Sequence, residues 1–229
     1  MQYKAVIFDL FETLITEWGH KKYTKNELCA DLNISREDFD TYWNEKSSDQ
    51  YMGNITFQES LLYACEKCAQ TITAEQIETI TNKRIQTKSD CFNYILPEVF
   101  DLLKQLKAMG LKTAIVSNCS SEEVEVLRES KLCDFFDEII LSYEVHMKKP
   151  DTCIYEDAVK RLGVSSSECL FVGDGGSNEL FGAEDAEMKP VQAKWYTTRY
   201  PKKRENISDF LTAEEPMDIL NIILKQGQP

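Results

Sequence analysis

Between Tyr94 and Ala193 short apolar runs alternate with amphipathic stretches of helical length. That alternation admits little besides a doubly wound parallel sheet with helices on both faces. Residues 97–109 are predicted as a helix, with Pro97 at its start and Gly110 past its end, and 112–116 as a strand reaching Ser117-Asn118. Helix is expected at 121–130, 151–162 and 177–186, and strand at 138–141 and 169–172, the last running into Gly173-Asp174. Residues 190–193 are expected as the final strand and 209–224 as a surface helix.

The chain opens on one more strand of the same kind. Residues 1–14 are apolar up to Asp9, the pattern of a buried parallel strand whose carboxyl end carries a carboxylate. Helical stretches at 25–32, 36–45, 57–69 and 74–87 follow without a strand between them, and Ser35, Thr56 and Thr73 are their expected N-caps. Four consecutive amphipathic helices predict a bundle inserted into the sheet domain. The expected division is a Rossmann-like core of residues 1–16 and 92–229 and a helical cap of 17–91, hinged near Thr16 and Cys91.

A formal net charge of -13 excludes a surface built for nucleic acid, which needs clustered Lys and Arg. An anionic substrate would therefore need a local positive focus. No stretch is apolar enough to span a membrane and no secretory leader is visible, so a cytoplasmic location is expected. The eight cysteines are expected to be reduced and largely buried. Cys65 and Cys68 share a helical stripe with Leu61, which makes them core residues rather than a redox pair.

Four strand ends bring polar residues to the carboxyl edge of the sheet, where ligands bind in folds of this kind. The segments are Phe8-Asp9-Leu10-Phe11-Glu12-Thr13-Leu14, Ile115-Val116-Ser117-Asn118, Lys149-Pro150-Asp151 and Val172-Gly173-Asp174-Gly175-Gly176-Ser177-Asn178-Glu179. In order and spacing they resemble the four motifs of the haloacid dehalogenase superfamily. Any one of them alone would read as a helix cap, turn or surface loop; the ordered set has no such explanation.

The resemblance implies a hydrolase in which Asp9 is a covalent nucleophile and Mg2+ is held by Asp9, the Phe11 backbone carbonyl and Asp174. Ser117 and Lys149 would grip the transferred group, and Asn118, Thr13 and Glu12 would face the substrate. Asn178 and Glu179 would stand behind the metal ligands, with Glu179 placed for an outer-sphere metal contact or a lysine contact. The chemistry agrees: a carboxylate attacks phosphorus only when held in line with anionic repulsion screened. The expected partner is a small phosphate ester or acyl phosphate, with no nucleic acid and no membrane, for a monomer or homodimer.

Phe11 departs from the pattern, since phosphatases of this family carry a second Asp there as general acid. Glu12 is the nearest substitute, provided turn geometry brings it to the site. A dehalogenase remains an alternative, because halide needs no proton, though such relatives lack the metal site that Gly173-Asp174 resembles and need an arginine soon after the first motif to clamp the haloacid carboxylate, where Arg36 is the only one before Arg84 and is not convincing. The phosphonate-cleaving relatives use a cap lysine as Schiff base, for which Lys21, Lys22 and Lys25 are available. A non-catalytic binding protein is the third reading. Arg199, Lys202, Lys203 and Arg204 read as a solvated basic loop, and His20 and His146 as surface residues.

Overall fold

In the computed structural model residues 3–201 and 209–225 are described. Strand β1 (Ala5–Phe8) is followed by helices α1 (Lys25–Leu32), α2 (Arg36–Tyr51), α3 (Phe57–Lys67) and α4 (Ala74–Cys91). Then come α5 (Pro97–Ala108), β2 (Lys112–Ser117), α6 (Ser121–Arg128), β3 (Glu138–Leu141), α7 (Ser142–Val145) and α8 (Thr152–Leu162). The chain ends with β4 (Cys169–Gly173), α9 (Glu179–Asp185), β5 (Lys189–Ala193), α10 (Trp195–Arg199), β6 (Leu211–Ala213) and α11 (Asp218–Lys225).

The six strands form one sheet in the order β3-β2-β1-β4-β5-β6, and every pairing is parallel. Alternation along β1 sends Ala5 and Ile7 to one face and Val6 and Phe8 to the other. The first pair joins a core with Ile154, Tyr155 and Ala158 of α8 and Leu180 and Ala183 of α9. The second pair joins Val99, Leu102 and Leu106 of α5, Leu127 of α6 and Ile219 and Ile223 of α11. The sheet is thus covered on both faces, and only its ends are open to ligands.

A third apolar cluster is made of buried residues between Leu28 and Ile80, with Phe39, Phe57 and Leu61 among them. Thr56 and Thr73 cap α3 and α4 in capping boxes, and the Ser35 side chain accepts from the Asp38 N–H. Helix α2 runs to Tyr51, beyond the expected residue 45, because its polar last turns show no apolar stripe but still pack against α3.

The tail departs from the sequence reading. Residues 190–193 are not the last strand: β6 adds one beyond β5, three residues being too short for periodicity to register. The expected helix at 209–224 is shortened to α11, whose Ile219 and Ile223 are fully buried rather than on the surface. Likewise the helix expected from residue 177 begins at Glu179, because Ser177 and Asn178 take positive φ in the turn after β4. Lys202, Lys203 and Arg204 of the basic loop lie outside the described residues.

No helix among the described residues is long and apolar enough to cross a membrane. All eight cysteines are free; Cys29, Cys65, Cys91, Cys119 and Cys169 are buried, Cys68 and Cys133 half-buried, and Cys153 exposed. Burial pushes the Cys65 thiol up to about 11, the opposite of what a redox pair needs.

Candidate active site

The register of the sheet assembles the site. Phe8 stands opposite Ile115 on one side and Val172 on the other, so Asp9, Ser117 and Asp174 emerge together at the carboxyl edge. Asp9 is anchored through its backbone N–H, which donates to the Val172 carbonyl at 2.9 Å. Its carboxylate accepts from the Lys149 ammonium and, at 3.2 Å, from the Thr13 hydroxyl. Lys149 also pairs with Glu179 at 2.5 Å.

Asp9, Asp174 and Glu179 each offer an oxygen to one buried group whose ligand atoms all lie within 4.8 Å of one another. Three buried carboxylates against a single ammonium leave uncompensated negative charge, and an all-oxygen donor set of that charge fits a hard divalent cation such as magnesium. The residues present therefore fit the expected ion. Burial raises the Asp9 carboxyl above its ordinary range, opposed by Lys149 and reinforced by Asp174. Glu179 is pushed up to about 8 by burial and by the charge of Asp9. Burial alone would lower Lys149, but Asp9 and Glu179 outweigh it and hold the ammonium charged.

Local sequence explains the placement of each group. The Asn118 carboxamide clasps the segment bearing Lys149, donating to its carbonyl at 2.9 Å and accepting from its N–H at 2.8 Å. Gly173 is required: a Cβ there would lie 2.2 Å from Glu179 Oε1. Gly176 N–H donates to Asp174 at 2.9 Å, and Gln192 donates to the Asp174 carbonyl at 3.1 Å. Asn178 is exposed at the start of α9 and makes no side-chain cap, whereas its neighbour Glu179 turns inward.

A cavity of about 370 Å³ opens above the carboxylates, and Asp9, Phe11, Glu12, Ser117, Asn118, Lys149, Asp174 and Glu179 lie in its wall. Thr13 does not line it; its hydroxyl is spent on Asp9 and its carbonyl accepts from the Trp195 indole at 2.8 Å. A larger depression of about 740 Å³ lies between α1 and α4, lined by Tyr23, Asp31 and Lys83, and shares no residue with the catalytic group.

Glu12 has the turn geometry that brings its side chain to the site. Its φ of 62° is left-handed, which breaks the alternation of the strand and turns the side chain into the cavity wall. The carboxylate accepts from the Thr16 hydroxyl and from the Glu17 N–H at 3.1 Å, and burial pushes its pKa up to about 7.

Sequence reasoning missed the opposite wall. Tyr51 of α2 and Arg84 and Lys88 of α4 face the cavity, together with Glu17, Trp18 and Glu123. Lys88 pairs with Glu17 and Glu123 at 2.5 Å each and stands 4.3 Å above the Phe11 ring; Arg84 binds Glu122 at 3.2 Å and Glu123 at 3.1 Å. The available signal was the i,i+4 spacing of Arg84 and Lys88 on one helix, set against two consecutive glutamates opening the helix after Asn118. Lys22 and Lys25 pair with Glu17 and Asp40 instead, and neither they nor Lys21 line the cavity. His146 bonds the Met52 carbonyl at 2.6 Å and His20 stacks on Tyr94, both away from the carboxylates.

A buried aspartate and lysine thus meet at the carboxyl edge of a parallel sheet, beside a group of acidic side chains that fits a divalent cation. Residues 3–186 match the family model for haloacid dehalogenase-like hydrolases, and the chain belongs to that family. It is similar to the glyceraldehyde 3-phosphate phosphatase of Methanopyrus kandleri, 31% identical over 130 residues, a match that spans 56% of this chain and 55% of that one. It is 30% identical to a putative pyrophosphatase, PpaX, of Clostridium perfringens, over 97% of this chain and 98% of that one. Among solved structures, a 2-haloacid dehalogenase from Pseudomonas syringae superposes with a TM-score of 0.66 at 19% identity, covering 98% and 99% of the two chains. That likeness speaks to fold alone.

Proposed function

We propose that the chain is a magnesium-dependent phosphatase acting through an aspartyl intermediate on a small phosphorylated metabolite. The observation that carries this reading is the gathering of Asp9, Asp174 and Glu179 into one buried group beside Lys149 in the cavity wall, a donor set for a divalent cation that phosphoryl transfer uses and halide displacement does not need. The names of the two curated relatives point the same way, since both describe release of phosphate from small molecules.

Magnesium held by Asp9, the Phe11 carbonyl and Asp174 would screen the phosphoryl charge from the attacking carboxylate. Lys149 and Ser117 bind the phosphoryl oxygens, and Asn118 and Thr13 hold Lys149 and Asp9 in position. An Asp9 oxygen bonds to phosphorus, the bond to the leaving oxygen breaks, and that oxygen departs with its electron pair and takes the Glu12 proton. Water then attacks the aspartyl phosphate and gives its proton back to Glu12, which frees Asp9 and inorganic phosphate. A carboxyl of pKa near 7 is suited to both steps at neutral pH. The helices between Thr16 and Cys91 act as a cap, and eight unpaired thiols fit a reducing cytoplasm.

A dehalogenase is the second reading: Arg84 lies in the cavity wall, where a haloacid carboxylate needs a guanidinium, but Glu122 and Glu123 already hold it. Phosphate release from alkyl, aryl and acyl phosphates, and halide release from 2-haloacids, each assayed with magnesium and with chelator, separate the two. Magnesium-dependent phosphate release lost in Asp9→Asn is expected. Chelator-insensitive halide release would overturn the proposal, and no turnover of any compound would favour a binding protein.

A further inference from the structure

A second, smaller cavity of about 190 Å³ lies within the helical layer and shares Tyr51 and Arg84 with the wall of the catalytic cavity. Polar side chains, Thr24, Lys25, Asn44 and Ser47 among them, share its wall with three packed rings: Phe39 stacks on Trp43 with centroids 5.3 Å apart, and Trp43 meets Phe57 edge-on at 5.5 Å. Gln50 of α2 also lines it. The side chain is only 5% exposed, and its amide nitrogen is buried without a hydrogen-bond partner.

An unmet buried amide donor is costly and uncommon, and where one persists beside a cavity it marks a place for an acceptor from outside the chain. Phe39 and Phe57 are enclosed, so the aromatic surface left for another ring is that of half-buried Trp43, where Lys25 stands 5.7 Å from the ring centroid. Arg84 stands at the join of the two cavities, its Nε and Nη2 fixed by Glu122 and Glu123. A molecule with phosphate over Asp9 and a body extending past Tyr51 and Arg84 would reach this recess.

We propose that the recess bounded by Phe39, Trp43, Phe57 and Gln50 is the leaving-group subsite. The substrate is then a phosphate monoester whose alcohol carries a planar ring with a hydrogen-bond acceptor for the Gln50 amide. The inference rests on the phosphatase reading and narrows it: short acyclic esters would leave the recess empty. A water molecule bound to Gln50 is the competing account, under which the recess plays no part in substrate choice.

The test compares uridine 5'-monophosphate, whose ring presents carbonyl acceptors, with glycerol 3-phosphate, which has no ring. The wild-type enzyme with magnesium is expected to have the higher kcat/KM for the ring ester. Gln50→Leu should lower the ratio of the two kcat/KM values about tenfold, the worth of one buried hydrogen bond. Ser47→Phe, which fills the recess from a neighbouring turn of α2, should lower it further. A ratio unchanged in both variants overturns the subsite. Failure of the wild type to hydrolyse either ester tells against the phosphatase reading instead. In that case equilibrium binding of uridine 5'-monophosphate to Asp9→Asn, with and without Gln50→Leu, decides the recess: weaker binding in the double variant sustains it, and equal or absent binding overturns it.

Discussion

Glu12 bears most of what distinguishes this site, because Phe11 has no proton to give where the resemblance expects an acid. Glu12→Gln should lower kcat for an alkyl phosphate by roughly a hundred- to ten-thousand-fold. An aryl phosphate, whose leaving oxygen needs less protonation, should lose much less; steady-state kcat for the two esters checks the pair, and equal losses would argue against proton transfer by Glu12. The same carboxyl predicts a stability effect in the metal-free protein. It holds its proton to about pH 7 when folded but releases it near the ordinary carboxyl range when unfolded. The folded state therefore binds more protons in that window, and stability falls as pH rises from about 4.5 to about 7, on the order of 3 kcal/mol from this residue. The gap between urea midpoints at pH 5 and pH 8 should narrow in Glu12→Gln; Asp9, Glu122 and Glu179, raised likewise, keep a loss of the same sign, that of Glu179 extending about a unit higher. Asp9, Ser117 and Asp174 were legible as site candidates because each stands at a strand end and falls in a spaced motif; Lys149, expected at a strand end, lies instead in the loop between α7 and α8 and was legible through its motif alone. The inward turn of Glu12 was not, since nothing in Phe11-Glu12-Thr13 announces a left-handed residue.

Helices α4 and α6 meet through charge rather than apolar contact. Arg84 and Lys88 face Glu122 and Glu123, all but Arg84 almost fully buried, with Glu17 closing the cluster. Burial alone would raise the Glu17 carboxyl and lower the Lys88 ammonium, yet their pairing sends Glu17 down to about 2 and Lys88 up. Lys88→Met leaves Glu123 to Arg84 and Glu17 to Lys22, one buried cation short of balancing the carboxylates, and should cost about 3 kcal/mol. Adding Glu123→Gln should recover part of that loss, because it removes one of the unbalanced charges; denaturant unfolding of the single and double variants reads the coupling, and additive losses would dissolve the cluster as a unit. Elements with a full apolar stripe or a capping residue, such as α3, α5 and α8, were legible in the sequence. Strand β6 was not, having three residues and only Ala213 buried, nor was the α4–α6 contact, because the pairing of Lys88 with Glu123 spans 35 positions and leaves no local periodicity.

The whole molecule carries a formal charge of -13, while the cavity that would take an anionic substrate sets Lys149, Lys88 and Arg84 among six carboxylates. These act at different ranges. Lys149, Lys88 and Arg84 act within a few ångströms, where low dielectric and fixed geometry protect them from salt, but the overall charge repels a phosphate ester throughout its approach. At low ionic strength the Debye length is about 30 Å, comparable to the size of the protein, and at physiological salt it is about 8 Å. Raising the salt should therefore remove the repulsion without loosening the bound state. For a dianionic ester, kcat/KM at fixed free magnesium should rise a few-fold from about 10 mM to about 150 mM salt while kcat stays level, provided capture limits kcat/KM. A fall over that range would mean that the cavity cations project their field beyond the entrance and steer the substrate despite the net charge. This property was open to calculation from composition alone, but the placement of Arg84 and Lys88 among the acidic side chains of the cavity was not. A net-neutral variant made only at exposed positions remote from the cavity, such as Glu75, Asp101 and Glu187 replaced by Lys with further acidic sites treated alike, should reduce the salt dependence in proportion to the charge removed.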